Sequence, residues 1–244
     1  MEHLGFMSTS YIFDPPLVEG TLVRRYKRFL ADVALLDGRV VTAHCMNTGS
    51  MTGLANPGSR VWLSPQDNPK RKLKYSWEIA SDGEALVGVN TLLPNALVRD
   101  AVAAGDIPSL RGYGSIKREV RYGERSRVDL LLSEHDVDPR PAYVEIKSVT
   151  LACDTQARFP DAVTLRGQKH LHELMRVVAE GARAVIFFLV QREGVHTFAP
   201  ADSIDPDYGE SLRDARQKGV EVEVWQARVT PDSISILKSL PTQF

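Results

Sequence analysis

Short apolar runs separated by turn residues make up the first third of the chain. Residues 29–36 form one such run, Asp37 and Gly38 follow as a turn, and residues 39–45 form the next run. This order predicts a β-hairpin. Further runs of strand length lie at residues 60–64, 75–80 and 84–89. About five short strands in roughly 70 residues are typical of a small β-barrel, and the oligonucleotide-binding (OB) fold is the leading candidate.

The pattern changes near Pro94. Residues 95–104 carry apolar side chains at helical spacing, and Gly105 ends the predicted helix. Strands are then predicted at 115–122, 126–132, 142–149, 184–190, 220–229 and 233–237, and helices at 167–180 and 206–218. A helix that connects two strands predicts an α/β core with a crossover. The predicted fold class is therefore α/β, with an OB-fold-like barrel over residues 1–90 and an α/β domain over residues 91–244.

Two of the predicted strands carry charges inside apolar segments. Asp129 lies within the first of them, and Glu145 and Lys147 lie within the second. Residues two apart on a strand point to the same face, so Glu145 and Lys147 share one side. If the strands pair, Asp129 can lie about 5 Å away on the neighbouring strand. Burial of an unpaired charge costs several kcal/mol, so we expect these charges to face a site or each other. A solvated strand face is the alternative.

Two carboxylates and one ammonium at one point of a sheet suit metal-dependent hydrolysis of a phosphodiester. Hard divalent cations prefer oxygen ligands, so the sequence predicts Mg²⁺ or Mn²⁺ at Asp129, Glu145 and the carbonyl of Ile146. Lys147 is then predicted to stabilise the charge that develops on the phosphate. Two further acids are left open: Asp161 in a following loop and Glu119 on the preceding strand either approach this site or belong to the surface.

Two cationic runs in the predicted barrel alternate with aromatic residues. A basic groove with aromatic platforms is how single-stranded nucleic acid is commonly bound, whereas a solvated loop is the alternative. The predicted contacts are Arg24, Arg25, Lys27, Arg28, Lys70, Arg71, Lys72 and Lys74. Gln168 and Lys169 are added because they begin a predicted helix, and a helix N-terminus presents donors to phosphate. A solvated basic face is the alternative for this pair.

Composition and charge limit how the protein can bind nucleic acid and in which compartment it is expected. The chain has 244 residues and a formal net charge of −1, so any attraction for nucleic acid must come from local patches. Cys45 and Cys153 have no metal-like spacing and are interpreted as thiols of a reducing compartment. No secretory signal is recognised at the N-terminus, and no apolar stretch reaches the roughly 20 residues needed to cross a bilayer. The predicted location is cytoplasmic, without membrane association.

The spacing from Asp129 to Glu145, Ile146 and Lys147 fits the PD-(D/E)XK nuclease pattern, with Val128 in place of the proline. From about Pro15 to the C-terminus the chain resembles the sugar fermentation stimulation protein family, known as SfsA. The segments that carry the resemblance are residues 25–33, 44–51, 123–129, 144–151, 159–164, 166–171 and 184–188.

The resemblance implies an N-terminal OB barrel and a restriction-endonuclease-like second domain. It also implies non-specific binding of DNA, with RNA as an alternative, and a role in the regulation of sugar (maltose) metabolism. Under the family pattern Asp129 and Glu145 match the metal-binding acids, and Lys147 matches the catalytic lysine. Two hypotheses follow: a Mg²⁺- or Mn²⁺-dependent phosphodiesterase, or a non-catalytic DNA-binding regulator on a nuclease scaffold. Formation of a homo-oligomer stays open.

Overall fold

The computed structural model describes residues 9–123 and 126–244. After a short strand β1 (Ser10–Ile12), the chain builds a barrel. Its strands are β2 (Val18–Tyr26), β3 (Leu30–Leu35), β4 (Val40–His44), β5 (Arg60–Pro65), β6 (Tyr75–Ser81) and β7 (Leu86–Gly88). They follow the order β4-β3-β2-β5-β6-β7, and a parallel pairing of β4 with β6 closes the barrel.

The barrel forms because alternate side chains of its strands point inward. Leu22, Val33 and Leu63 are fully buried there. Trp77 is completely buried as well, and its indole N–H donates to the carbonyl of Ile79 at 2.9 Å, which satisfies the ring's polar atom. Register shifts in β2 and β5 provide the local bends that a closed sheet of short strands needs.

The second sheet holds the strands of the α/β domain. The strands of this sheet are β8 (Tyr113–Tyr122), β9 (Ser126–His135), β10 (Ala142–Val149), β13 (Arg183–Val190), β15 (Glu221–Val229) and β16 (Ser233–Ser239), together with β1. The helices of the domain are α1 (Leu93–Ala104), α2 (Leu165–Ala179) and α3 (Pro206–Gln217). The strand order is β1-β16-β15-β13-β10-β9-β8. A smaller sheet pairs β12 (Gln156–Phe159) with both β11 (Leu151–Cys153) and β14 (Thr197–Pro200).

The second sheet is covered on both faces. Helix α1 packs on one face through Leu97 and Val98, and α2 packs on the other through Leu171 and Leu174. The central strand β13 is buried along almost its whole length and pairs in parallel with β10 and β15. A parallel strand with helices on both faces needs a near-continuous apolar sequence, which the segment Arg183–Val190 provides.

The predicted fold class is confirmed, with informative differences in detail. Strand β2 extends to Tyr26, so Arg24 and Arg25 belong to a strand rather than to a loop. Strand β1 joins the second sheet by pairing with β16, although it precedes the barrel in sequence. The small sheet of β11, β12 and β14 was not predicted, because its strands are only three or four residues long. The division of the chain at residue 90 stays a prediction. Within the described residues, no helix is long and apolar enough to cross a membrane.

Candidate functional site

The two charged strands of the sequence pattern are neighbours in the second sheet. Strands β9 and β10 pair antiparallel, and their register ends with Leu130 opposite Val144. One further step along this register brings Asp129 opposite Glu145. Beyond the last paired residues, the Asp129 carboxylate takes over as the acceptor: its Oδ2 accepts the backbone N–H of Ile146 at 2.7 Å. The Asp129 side chain therefore replaces a backbone carbonyl as the acceptor at the point where the pairing of β9 with β10 ends.

Asp129 is held from a second direction by α1. Its Oδ1 accepts a hydrogen bond from Nδ2 of Asn95 at 2.7 Å. Burial raises the pKa of Asp129 to about 6, and the nearby negative charge of Glu145 acts in the same direction. The Ile146 N–H, the Lys147 ammonium and Asn95 offset part of this increase. Two adjacent carboxylates thus carry an electrostatic cost that a bound cation would relieve.

Glu145 is the most deeply buried member of the site, with 3% of its surface exposed. Its Oε1 accepts from Nζ of Lys147 at 2.7 Å and contacts Nδ1 of His170. Burial alone would raise the pKa of Glu145, but the His170 hydrogen bond and the Lys147 charge outweigh it, and the pKa is lowered. Its Oε2 is buried and has no hydrogen-bond partner among the described residues. An ionised carboxylate with one vacant oxygen is therefore held in place beside Asp129.

His170 lies on α2 and is buried against β10. Its Nε2 accepts from Nε of Arg166 at 3.3 Å, which leaves Nδ1 as the ring nitrogen that donates to Glu145. Sequence reasoning missed the roles of both His170 and Asn95. The sequence did carry a signal for His170. It lies three residues after Gly167, and this helical spacing places both residues on the buried face of α2.

These residues fit a hard divalent cation. The vacant Oε2 of Glu145, the Asp129 carboxylate and the Ile146 carbonyl are oxygen donors of the kind that Mg²⁺ and Mn²⁺ prefer. Across residues 9–123 and 126–244, no group of three or more His, Cys, Asp or Glu side chains is placed to bind a metal. The proposed site would therefore use two carboxylates, and water and a main-chain carbonyl would supply the other ligands.

Asp161 and Glu119, whose roles the sequence left undecided, lie in different parts of the structure. Glu119 is exposed on β8, at a residue with φ of 52°, in the gap of the β8–β9 register that lies opposite Asp129. Asp161 instead binds the barrel. Its Oδ2 accepts the backbone N–H of Met51 at 3.1 Å, and its carbonyl accepts from Oγ of Ser50 at 2.6 Å. Asp161 thus connects the loop after β12 to the loop after β4.

The first cationic run of the barrel divides into engaged and exposed residues. Arg24 forms an ion pair with Asp32 at 2.8 Å. The guanidinium of Arg25 donates to the carbonyls of Arg28, Asn47, Ser50 and Gly49. Lys27 and Arg28 lie at the hairpin tip between β2 and β3 and are exposed, each with positive φ.

The second cationic run, residues 70–74, also divides into engaged and exposed residues. Arg71 bonds Gln66 and Oγ of Ser76, and Nζ of Lys74 donates to the carbonyl of Asn68 at 3.1 Å. Lys70 and Lys72 are exposed. Within the described chain, the side chains of Lys27, Arg28, Lys70 and Lys72 form no hydrogen bond or ion pair. Of the predicted barrel contacts, these are the ones best placed to meet a phosphate.

The two predicted contacts on α2 are already partnered. Gln168 donates through Nε2 to Oδ1 of Asp205 at 3.0 Å, and Lys169 lies 3.6 Å from Oε1 of Glu173. Their proposed role toward phosphate stays a prediction. Two arginines that precede Asp129 in the sequence, Arg125 and Arg127, are alternative contacts for phosphate; Arg125 lies outside the described residues, and Arg127 is exposed on β9.

Comparison with family models gives two matches that together cover most of the chain. The model described as the SfsA N-terminal OB domain matches residues 23–89, and the sugar fermentation stimulation protein RE domain matches residues 92–233. The chain belongs to the sugar fermentation stimulation protein (SfsA) family.

Individual relatives agree with this assignment. The sugar fermentation stimulation protein homologue of Pelobacter propionicus is 56% identical over 93% of this chain and 97% of its own length. The homologue of Geobacter metallireducens is 56% identical with the same coverage. A solved structure of Pyrococcus furiosus SfsA in complex with Ca²⁺ superposes with a TM-score of 0.88 at 28% identity, covering 98% of this chain and all of that one.

We expect the substitution Asp129→Asn to stabilise the metal-free protein at pH 8. The pKa of Asp129 is about 6 when folded, against 3.8 ordinarily, so its stabilising contribution is complete below pH 3.8 and is lost as the pH rises through 6. The difference corresponds to about 3 kcal/mol. An asparagine can still accept from Ile146 without the charge. Thermal unfolding in EDTA should give a higher Tm for the variant at pH 8, and the gap should narrow as the pH falls below 6. Equal Tm values at pH 8 would contradict the electrostatic account.

We expect Glu145→Gln to weaken the binding of Mn²⁺ by at least about tenfold, because it neutralises the carboxylate that offers a vacant oxygen. Isothermal titration calorimetry measures this directly. Glu210→Gln is the matched control, since it removes the same charge from an exposed position on α3 and should bind Mn²⁺ as the wild type does. Equal affinity of the Glu145 variant and the control would place the metal elsewhere.

Proposed function

We propose that this protein is a Mg²⁺- or Mn²⁺-dependent phosphodiesterase that acts on nucleic acid. The observation that carries the proposal is the buried Glu145, whose Oε1 is held by Lys147 and His170 while Oε2 stays vacant beside Asp129. A scaffold that only binds DNA gains nothing from two carboxylates that would face a phosphate. A cation between them changes this, because it converts the repulsion into attraction for the substrate.

The chain's own residues divide the work in this proposal. A bound divalent ion would supply Lewis-acid polarisation of a phosphoryl oxygen and lower the pKa of a water molecule. Lys147 places its ammonium against Glu145, with 13% of the side chain exposed, and its charge would stabilise the anionic transition state. Asn95 orients Asp129 from α1, and His170 orients Glu145 from α2. Each carboxylate is thus positioned by a different helix.

The proposed partner is DNA, with RNA as the alternative. The net charge of −1 provides no overall attraction for a polyanion, so the exposed barrel residues Lys27, Arg28, Lys70 and Lys72 are the proposed first contacts. Because such contacts meet phosphates rather than base edges, binding would depend little on sequence. Cys45 and Cys153 are both unpaired thiols, which agrees with our proposal of a cytoplasmic location. From its family we also propose a role in the regulation of sugar (maltose) metabolism.

The catalytic proposal is tested by incubating purified protein with single- and double-stranded DNA and RNA in Mn²⁺. We expect cleavage of at least one of them, and a fall of about 10²- to 10³-fold in Lys147→Ala, because one charge-stabilising group is lost. Lys238→Ala removes an exposed ammonium on β16 and should cleave as the wild type does. Binding without cleavage under any metal would refute the phosphodiesterase and support a non-catalytic regulator on the same scaffold.

The barrel contacts are tested by the salt dependence of binding to a single-stranded oligonucleotide in EDTA. Replacing Lys70 and Lys72 by Gln should lower affinity for all sequences alike and flatten the slope of log K against log salt by about 1.4, since each contact contributes about 0.7. A double variant of Lys218 and Lys238 removes the same charge elsewhere and should keep the slope. An unchanged slope in the barrel variant would instead favour a surface near Arg127 and Lys169.

A further inference from the structure

A cavity of about 290 Å³ lies between the barrel and the second sheet, next to the candidate metal site. Ile146 and Lys147 form part of its wall, so it adjoins the point where we place the reacting phosphate. The remaining wall comes from the barrel loop after β4, from Thr91 before α1, and from the segment that includes β11 and β12.

The barrel side of the cavity is held in place by specific contacts. Asp161 accepts from Ser50 and Met51, as described above. Gly49 packs so tightly against it that a Cβ atom at this position would lie 2.5 Å from Oδ2 of Asp161. Arg25 binds the carbonyls of Asn47 and Gly49 from the other side, at 2.8 and 2.9 Å. The loop is therefore a wall of defined shape, built by both domains together.

Arg158 contributes a positioned guanidinium to this cavity. It lies on β12 and is half-buried, and its Nε donates to Oε1 of Gln156 at 3.0 Å. Gln156 is itself oriented, because its Nε2 donates to Oε1 of Gln243 at 2.6 Å. Within residues 9–123 and 126–244, the two terminal nitrogens of Arg158 form no hydrogen bond or ion pair; its charge helps to lower the pKa of Asp202, but that carboxylate is paired with Arg213. A guanidinium that is fixed through Nε and vacant at its fork is prepared for an oxyanion.

The charge balance of the cavity agrees with an anionic ligand. Arg158 is cationic, as is Lys147, whose ammonium also pairs with Glu145, and the hydroxyl groups of Thr48 and Ser148 add neutral donors. Asp161 is the one carboxylate among the described lining residues, and its Oδ2 is engaged by the N–H of Met51. A ligand with several oxygens and a delocalised negative charge, such as a phosphate, matches this set of donors.

We propose that this cavity is a phosphate subsite, in which Arg158 binds the phosphodiester next to the reacting one along the same nucleic-acid strand, while Lys147, which also lines the cavity, serves the reacting phosphate. The proposal rests on the proposed function, because it places the neighbouring nucleotide of that substrate. It also gives the barrel a specific part in the site: the loop of Asn47, Thr48 and Gly49 forms the wall against which the strand lies.

The test measures binding of a fluorescent oligothymidylate by anisotropy in EDTA, so that cleavage plays no part. Arg158→Gln should weaken binding about 10- to 100-fold, as expected for loss of a charge-assisted hydrogen bond, and flatten the salt slope by about 0.7. Arg158→Lys should keep the slope while affinity falls, because it retains the charge without the fork. Arg39→Gln, in the exposed turn between β3 and β4, is the matched control and should behave as the wild type does.

A second measurement locates the contact. Phenylglyoxal modifies accessible arginines, and mass spectrometry of the digested protein shows which ones have reacted. Oligothymidylate should protect Arg158 and leave Arg39 reactive. Wild-type affinity and slope in Arg158→Gln, or equal protection of both arginines, would overturn the subsite.

The outcomes separate the two proposals. Cleavage in Mn²⁺ by the wild type, together with unaltered binding by Arg158→Gln, would refute the subsite alone. Binding that depends on Arg158, with no cleavage under any metal, would support the subsite and refute the phosphodiesterase. Absence of oligonucleotide binding by the wild type in EDTA would refute the subsite, while cleavage in Mn²⁺ would still decide the phosphodiesterase.

Discussion

The central constraint in this structure is the placement of two carboxylates side by side at the end of a buried strand pair. Asp129 and Glu145 repel each other in a region of low solvent exposure, which raises the pKa of Asp129. Each surrounding polar contact offsets part of that cost: Asn95 and the Ile146 N–H on one carboxylate, Lys147 and His170 on the other. The site is thus an exception to the apolar packing around it, and function is the usual reason for such an exception.

The position of the barrel follows from a separate set of contacts that also face the site. Asp161 binds the loop after β4, and the N–H of Gly88 donates to the carbonyl of Gln191 at 2.9 Å, which continues β7 toward the second domain. A partly buried ion pair between Arg192 and Asp82 lies at the same joint, at 2.7 Å. Because these contacts hold the two domains together next to Lys147, a substrate that reaches the metal site would meet both domains at once.

Much of the fold and the central residues of the site could be predicted, because they leave local signals. Asp129, Glu145 and Lys147 are charges inside apolar strands, and the strand period places two of them on one face. Asn95 and His170 leave weaker signals, since their partners lie 34 and 25 residues away. The two cationic runs of the barrel are easy to recognise in the sequence, but the contacts of their side chains are not. Whether Arg25 faces solvent or binds a loop depends on the residues that folding brings next to it.

The sequence by itself determined the longer helices and strands, the barrel-plus-α/β class and the pair of strands that carries the acids. These follow from hydrophobic period and turn residues, which act over a few positions at a time. Only the tertiary structure decided that Oε2 of Glu145 is vacant, that β1 joins the second sheet, and that Arg158 and Lys147 line the same cavity. These facts depend on contacts between segments far apart in the chain, and close packing of the whole molecule settles which of those contacts form.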